Sequence, residues 1–326
     1  MPPTLLRITP RDANAEDPED LFATALGTIF TDDLRNQHGD PGALITYLSR
    51  RLDAGLDLSV ADPAGEEERK KFAHYLWNAG VLMAELCGGR PRWGVGGGGE
   101  DGRDRVLDGL EWRLAGGREW WVDEEEEGRW SVEGQRVLEL GAANADGILS
   151  SILGVGLAGI VSTLVGAEQV VLSDYPAPEI IENLQQNVKR NVPEELRPKI
   201  SVQGHLWGDL TSPFSTANAG KFTRILAADC LWMSHEHRNL ARSMLHFLSP
   251  EPEARVFVIA GFHTGRVIMA PFFRIVEEEG LEVDEIFEMD AEARRREWAF
   301  ERDGGREDHG ERNKRLVVAQ LKRKRQ

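Results

Sequence analysis

Short apolar runs alternate with amphipathic stretches through the second half of the chain. Arg136–Leu140, Val170–Leu172, Lys199–Gln203, Phe222–Ala228, Arg255–Ala260 and Leu281–Met289 have the length and composition of strands. Between them lie stretches of helical length. One is the apolar segment opened by Gly154-Val-Gly156-Leu-Ala-Gly159, and the others are Pro178–Asn191, His235–Leu248 and Val267–Glu279. In Pro178–Asn191 the residues Ile180, Ile181, Leu184 and Val188 share one face, and Pro193 closes the segment. Trp298–Phe300 and Leu316–Leu321 are strand-like and flank a charged loop. Alternating β and α units ending in consecutive strands predict an α/β fold, with a mostly parallel sheet and antiparallel strands at one end.

The first half is less regular. Residues 1–43 are polar, with a short helical stretch at Leu21–Phe30. Leu44–Leu48 and Leu56–Val60 alternate as strands and predict a hairpin. Glu66–Leu86 reads as one helix, with Phe72, Leu76, Ala79, Leu82 or Met83, and Leu86 on its apolar face. On that periodicity alone Trp77 is a core aromatic. Gly89–Arg129 is low in complexity, with a glycine run at Gly96–Gly99 and an acidic run at Asp123–Glu127. It reads as a poorly packed insertion in which Trp112, Trp120 and Trp121 dock only locally. The resulting division is an extension over 1–65, a helix over 66–88, an insertion over 89–129 and a catalytic domain over 130–326.

The chemistry concentrates between Arg136 and Tyr175. Strand, glycine loop, helix, strand and terminal acid (Asp174) form a mononucleotide-binding half of an open α/β sheet. Small residues let the backbone approach a ligand, and a carboxylate at the second strand end can take two ribose hydroxyls. Gly154-x-Gly156-x-x-Gly159, with Asp174 about twenty residues later, also satisfies the dinucleotide fingerprint. An NAD-dependent oxidoreductase would, however, place its glycines directly after Leu140. About eleven residues, Ala143–Leu153, intervene instead.

Composition narrows the classes. The chain has 326 residues, 41% of them hydrophobic, enough for a full α/β core. No apolar run nears membrane-spanning length and no leader pattern opens the chain, so a cytoplasmic protein without a membrane anchor is expected. Cys87 and Cys230 read as unpaired buried thiols, and no Cys/His spacing suggests a metal. The formal charge of −16 argues against nucleic acid; it reads first as solubility with acidic loops, and it permits a basic, lysine-rich protein surface as partner. A monomer is expected.

With Ala143–Leu153 set aside, the line becomes Val-Leu-Glu-Leu-Gly-Ala-Gly-Val-Gly-Leu-Ala-Gly. It resembles motif I of the class I, seven-strand S-adenosylmethionine-dependent methyltransferases. HYLWNAG, LELGA…GVGLAG, LSDYP, GHLWGD and LAADCLW, in this order, resemble methyltransferase family 16 over about residues 44–88 and 130–321. The nearest likeness is to its fungal branch, described as nicotinamide N-methyltransferase-like or as elongation factor 1-alpha N-terminal and lysine methyltransferases. The resemblance implies a Rossmann-like sheet and S-adenosylmethionine as cofactor. Its acceptor would be a protein lysine or N-terminal amine, or a small nicotinamide-like molecule. Trp77 would touch the cofactor, and Glu139, Gly141, Ala142, Gly154 and Gly156 would form the motif I pocket. Asp174 would hold the ribose, Trp207 would pack on adenine, and Ala228 would line the pocket. Asp229 and Trp232 would face the acceptor.

Lysine-modifying relatives often carry Asp-x-x-Tyr where this chain has Asp229-Cys-Leu-Trp232. An indole can enclose an amine or its cation but lacks the phenol oxygen. Asp229 would position the amine first and act as a base second; a cap or a cofactor contact is the competing reading. His205, His235, His237 and His263 lie near predicted strand ends, where a histidine base would also fit. A binding protein with an impaired cofactor loop is the reading outside catalysis.

Overall fold

The computed structural model describes residues 5–9, 37–38, 44–49, 51–60, 76–90, 114, 120–141 and 155–325. Five short strands come first: β1 (Leu6–Thr9), β2 (Gln37–His38), β3 (Leu44–Tyr47), β4 (Leu56–Ser59) and β5 (Leu76–Trp77). Helices α1 (Asn78–Gly88) and α2 (Glu124–Trp130) lead into the main sheet. Then β6 (Arg136–Leu140), α3 (Leu157–Leu164), β7 (Gln169–Asp174), α4 (Pro178–Asn191), β8 (Ile200–Gly204), α5 (Pro213–Asn218) and β9 (Arg224–Ala228) alternate. The alternation continues with α6 (His237–Phe247), β10 (Arg255–Gly261), α7 (Arg266–Met269) and α8 (Phe272–Glu278). It ends in β11 (Leu281–Asp290), β12 (Arg295–Glu297), α9 (His309–Asn313) and β13 (Arg315–Arg323).

The main sheet has the order β12-β11-β13-β10-β9-β6-β7-β8. Strands β10, β9, β6, β7 and β8 run parallel, whereas β13 is antiparallel to both β10 and β11. This is the predicted Rossmann-like sheet with its antiparallel end. Central strands covered on both faces need continuous apolar runs, and β10 is buried from Val256 to Gly261. The strand order reverses direction at β6, so the carboxyl ends of β6 and β9 flank a crevice.

The hairpin β3–β4 forms as expected and gains β1 as a third strand. Its free edge, β4, is covered by side chains of α4. Asn191 Oδ1 accepts from Asp57 N at 2.7 Å, and Asn187 Oδ1 accepts from Ser59 N at 2.9 Å. The Asn191 and Asn187 amides donate back to Asp57 O and Ser59 O at 2.8 and 2.9 Å. Spaced four apart on one helix face, these asparagines take the place of a neighbouring strand and fasten the extension to the core.

Three expectations change. The helix predicted from Glu66 begins at Asn78, because Leu76 and Trp77 are extended and pair with β2; residues 61–75 lie outside the described ones. Val267–Glu279 is two helices, α7 and α8, broken at Pro271, which lacks the N–H a continuous helix would use. Trp298–Phe300 is not a strand, and Arg295–Glu297 pairs with β11 instead. The end of the expected insertion also belongs to the core. Trp120 and Trp121 are buried, as is Trp130 just past the insertion, and Tyr47 Oη and Trp121 Nε1 both donate to the buried carboxylate of Glu85. The Leu21–Phe30 stretch and residues 91–113 lie outside the described ones.

Candidate active site at the carboxyl ends of β6, β7, β9 and β10

The first half of the site is a cradle built by close approach. Gly141 N donates to Ser173 O at 2.7 Å, carrying the β6–β7 ladder one residue past β6. A Cβ on Gly141 would lie 2.1 Å from Asp174 Oδ2, so only glycine leaves room for that carboxylate. Asp174 ends β7 with 1% of its surface exposed, and its Oδ1 accepts from Tyr175 N at 2.7 Å. Gly156 stands at φ 72° as the residue before α3, a left-handed turn that aims the helix start at the strand ends.

Glu139 fixes that helix start from the sheet. Its Oε2 accepts from Gly159 N, the third residue of α3, at 2.6 Å. This satisfies one orphan helix donor with an anion at the positive end of the dipole. Desolvation pushes the Glu139 carboxyl up to about 7, against the opposing pull of the Gly159 N–H. Cys230 lies among the carboxylates: burial first, then Asp174, Asp229 and Glu139, raise its thiol well above the ordinary range. Cys230 Sγ donates to Leu140 O at 3.3 Å, so the residue after Asp229 joins the end of β9 to that of β6.

The second half lies where β9 and β10 end. Asp229 follows β9 at φ 57°, a left-handed conformation that costs a non-glycine residue of order 1–3 kcal/mol and that aspartate tolerates better than most. Its own N–H still donates to Ile259 O at 2.7 Å, so the ladder to β10 holds while the chain turns. The side chain is turned inward, with the residue 2% exposed. Oδ1 accepts from Gly261 N at 2.9 Å and stands 3.8 Å from His263 Nδ1, whereas Oδ2 is buried with no hydrogen-bond partner among the described residues. Desolvation raises the Asp229 pKa, and His263 and the Gly261 N–H oppose that rise. His263 stacks on Trp77, with ring centroids 4.5 Å apart and planes 28° apart. Trp77 Nε1, Trp232 Nε1 and His263 Nδ1 are also buried without a hydrogen-bond partner among the described residues. Unpaired buried polar atoms are rare in folded proteins, and here two of the residues bearing them stack on each other and a third stands within 4 Å of the pair.

The structure brings together most residues singled out from sequence. Glu139, Gly141, Gly156 and Asp174 line the β6–β7 side, and Ala228 and Asp229 end β9. Trp77, Trp207, Leu140, Cys230 and Leu231 share one buried apolar cluster, against which Trp232 packs. Trp77 reaches it from the extended residue before α1 rather than from a helix face. Ala142, Gly154 and the intervening Ala143–Leu153 lie outside the described residues. Of the four histidines, His205 bonds Ser243 Oγ at 3.1 Å in the core, and burial pushes it down to about 4. His237 donates to Leu231 O at 2.9 Å, and His235 is exposed. His263 contacts two site residues, Asp229 and Trp77. Sequence reasoning ranked it no higher than the others, although its place just after a buried strand was the available signal.

A family profile described as lysine methyltransferase matches residues 63–279. The chain belongs to the lysine methyltransferase family. Family membership makes it an N-methyltransferase and implies S-adenosylmethionine as methyl donor. Among curated relatives, the protein N-terminal and lysine N-methyltransferase efm7 of Schizosaccharomyces pombe is 29% identical over 248 residues, 72% of this chain and 77% of the relative. Its namesake in Aspergillus fumigatus is 28% identical over 248 residues, 72% of this chain and 84% of the relative. A solved SAM-dependent methyltransferase of Aquifex aeolicus is 13% identical, over 58% of this chain and 82% of that one, with a TM-score of 0.38.

The cleft suits the family's donor. Asp174 ends β7 and Asp229 follows β9 with an unpartnered Oδ2 among the described residues, two buried carboxylates that suit a nucleoside carrying cationic sulfur and nitrogen. Gly141 leaves the Asp174 carboxylate its place, and the buried indoles of Trp77 and Trp207 suit a flat, partly apolar body. Among the described residues no group of His, Cys, Asp and Glu is arranged to hold a metal ion, and no helix is long and apolar enough to cross a membrane.

Proposed function

We propose that this protein methylates a protein amine, a lysine side chain or an N-terminal amine. The observation that carries this reading is Asp229: a strained, buried carboxylate with one oxygen unpartnered, beside the Gly141–Asp174 cradle. A buried polar atom of this kind is costly unless a ligand completes it. The names of the fungal relatives support the protein amine as acceptor.

When bound, S-adenosylmethionine supplies a methyl group on a sulfonium sulfur, an activated electrophile with a neutral leaving group. The residues do the positioning. Asp174 takes the ribose hydroxyls. Glu139, Gly141 and Gly156, with Ala142 and Gly154 by resemblance, shape the pocket for the methionine end. Trp207 packs on the adenine, Trp77 walls the cofactor side, and Ala228 leaves space at the β9 end. Asp229 Oδ2 holds the incoming amine by one N–H, and the Trp232 ring encloses its aliphatic stem. Holding nucleophile and electrophile in line supplies most of what such a displacement requires. Two unpaired buried thiols, Cys87 and Cys230, support a reducing compartment such as the cytoplasm.

Calorimetry with S-adenosylmethionine and with NAD tests the cofactor. Binding of the first and not the second is expected, and no heat with S-adenosylmethionine at millimolar concentration would sink the reading. Transfer of labelled methyl groups into a fission-yeast extract tests the acceptor. Label in acid-precipitated protein is expected, and label confined to small molecules would favour a nicotinamide-like acceptor.

A further inference from the structure

An amine entering this cleft meets a difficulty that the positioning residues do not solve. A lysine amine has a reference pKa of about 10.4 and arrives protonated. The Asp229 carboxylate stabilises the ammonium further, so it holds the amine and at the same time opposes its activation. A separate proton acceptor is needed, reached from the amine yet open to solvent.

We propose that His263 is that acceptor, with Asp229 as the group that orients and charges its ring. This rests on the amine-methylating reading above. His263 sits two residues after β10, beside the Asp229 carboxylate that faces the amine. Its ring is held from one side by the Trp77 indole at 4.5 Å, which fixes its plane. Its Nδ1 faces Asp229 Oδ1 at 3.8 Å, and no other hydrogen-bond partner competes for it. That distance exceeds a hydrogen bond by under 1 Å, as is common for catalytic pairs before substrate tightens them. The side chain is 22% exposed, while that of Asp229 is 3% exposed, so the histidine forms the link between the closed carboxylate and bulk water.

One carboxylate and one guanidinium stand near the ring. Asp229 faces it from the β9 end. Trp77 covers it from the α1 side without charge, and on the α7 side Arg312 packs beside Gly265, two residues on. An imidazolium formed here gains the Asp229 carboxylate as counter-ion, which is the condition for a histidine to take a proton from an ammonium transiently.

With its Nδ1–H turned to Asp229, the partly exposed ring has Nε2 on its far side from that carboxylate, and Nε2 takes the proton of the substrate ammonium through bridging water, leaving a neutral amine and an imidazolium. The freed lone pair forms the N–CH3 bond while the methyl group's bond to sulfur breaks and its electron pair stays on sulfur. The product is a methylated ammonium and a neutral thioether. The imidazolium then releases its proton to solvent.

Nitrogen-15 NMR of the histidine rings gives the first test, and it needs no turnover. In the wild type His263 should carry its neutral-state proton on Nδ1, and Asp229→Asn should abolish that preference. An Nε2–H tautomer in the wild type, or no change in Asp229→Asn, overturns the proposal. The second test is His263→Gln, assayed by methyl transfer into fission-yeast extract. Its kcat should fall at least 30-fold, the rise of rate with pH that belongs to the ring should vanish, and S-adenosylmethionine affinity by calorimetry should stay within threefold. Added imidazole should restore part of the rate of His263→Ala. A His263→Gln enzyme with wild-type rate and pH profile overturns the proposal while leaving the methyltransferase reading intact. Absence of S-adenosylmethionine binding by the wild type would sink that reading instead. Should the variants fail to fold, the wild-type tautomer still decides.

Discussion

Two buried carboxylates, Glu288 on β11 and Asp229 at the end of β9, sit on the same sheet under opposite rules. Glu288 is fully buried and saturated. Arg266 binds it through two nitrogens at 2.8 and 3.1 Å, Arg296 Nε donates at 2.7 Å, and Arg302 adds longer contacts. Arg266 is in turn shared with Glu307 at 2.8 and 2.9 Å and lies 4.4 Å over the Phe262 ring. Asp229 is as deeply buried but has one backbone N–H, a histidine at 3.8 Å and an oxygen with no partner. Burial alone therefore does not mark function in this protein. The number of partners separates a carboxylate that fastens the loop after β12 from one left open to a ligand.

The sharpest way to break the contrast is Arg266→Met. Removing one member of a buried ion network leaves the remaining charges undercompensated, at a cost of about 3–5 kcal/mol. Chemical denaturation should show that loss, and S-adenosylmethionine affinity of the folded fraction should be unchanged. A loss under about 1 kcal/mol would mean that Arg296 and Arg302 suffice, and that the saturation of Glu288 is redundant.

Gly141→Ala tests the cradle that keeps Asp174 on the functional side of the comparison. The added Cβ falls 2.1 Å from Asp174 Oδ2 and 2.9 Å from Ser173 O, one of which is backbone and cannot swing away. The carboxylate must leave its place. A loss of S-adenosylmethionine affinity of at least about 100-fold, near 2.7 kcal/mol, is expected by calorimetry. Affinity within threefold of wild type would remove Asp174 from the cofactor site.

Asp229→Asn should behave in the opposite sense to Arg266→Met. The amide keeps the acceptor for Gly261 N and tolerates the left-handed backbone, and it removes a charge that burial disfavours. Stability should hold or rise slightly, while methyl transfer should fall roughly 100-fold, the lower range for a positioned polar group acting on a proton or nucleophile. Strong destabilisation with intact transfer would place Asp229 in the same class as Glu288.

Much of this was legible in the sequence, for identifiable reasons. Continuous apolar runs predicted the parallel strands because those strands are covered on both faces. Glu139, Gly141 and Asp174 were legible because close backbone approach restricts residue types at fixed spacing. His263 was not, because it meets Asp229 only through the parallel register that sets Ala228 against Ile259, and the two residues are about thirty apart in sequence. The start of α1 was misplaced because helical periodicity runs on through Leu76 and Trp77, and pairing with β2 overrides it. Trp120 and Trp121 were misjudged because glycine and acidic runs dominate the composition around them. Three neighbouring residues, Trp120-Trp121-Val122, carry enough apolar surface to fold that segment's end into the core.

Glu139 is the intermediate case, and its variant should have the smallest effect. It has one strong partner, Gly159 N at 2.6 Å, and is only half-buried as a residue. Its folded carboxyl titrates near 7, against an ordinary value of 4.5. A raised carboxyl pKa means that the folded state binds more protons than the unfolded one between those values. Stability is then full below about pH 4.5 and declines as pH rises towards about 7. Partial exposure limits that decline to no more than about 2 kcal/mol. Glu139→Gln keeps an oxygen for the Gly159 N–H and cannot ionise, so its denaturation free energy should lack this slope while its fold is retained. The same variant separates two roles for the charge. If the anion serves only the start of α3, S-adenosylmethionine affinity at pH 8 should change by less than threefold. A larger loss at pH 8, absent at pH 5.5 where the wild type is already protonated, would mean that the charge itself faces the cationic end of the cofactor, which would class Glu139 with Asp229 rather than with Glu288.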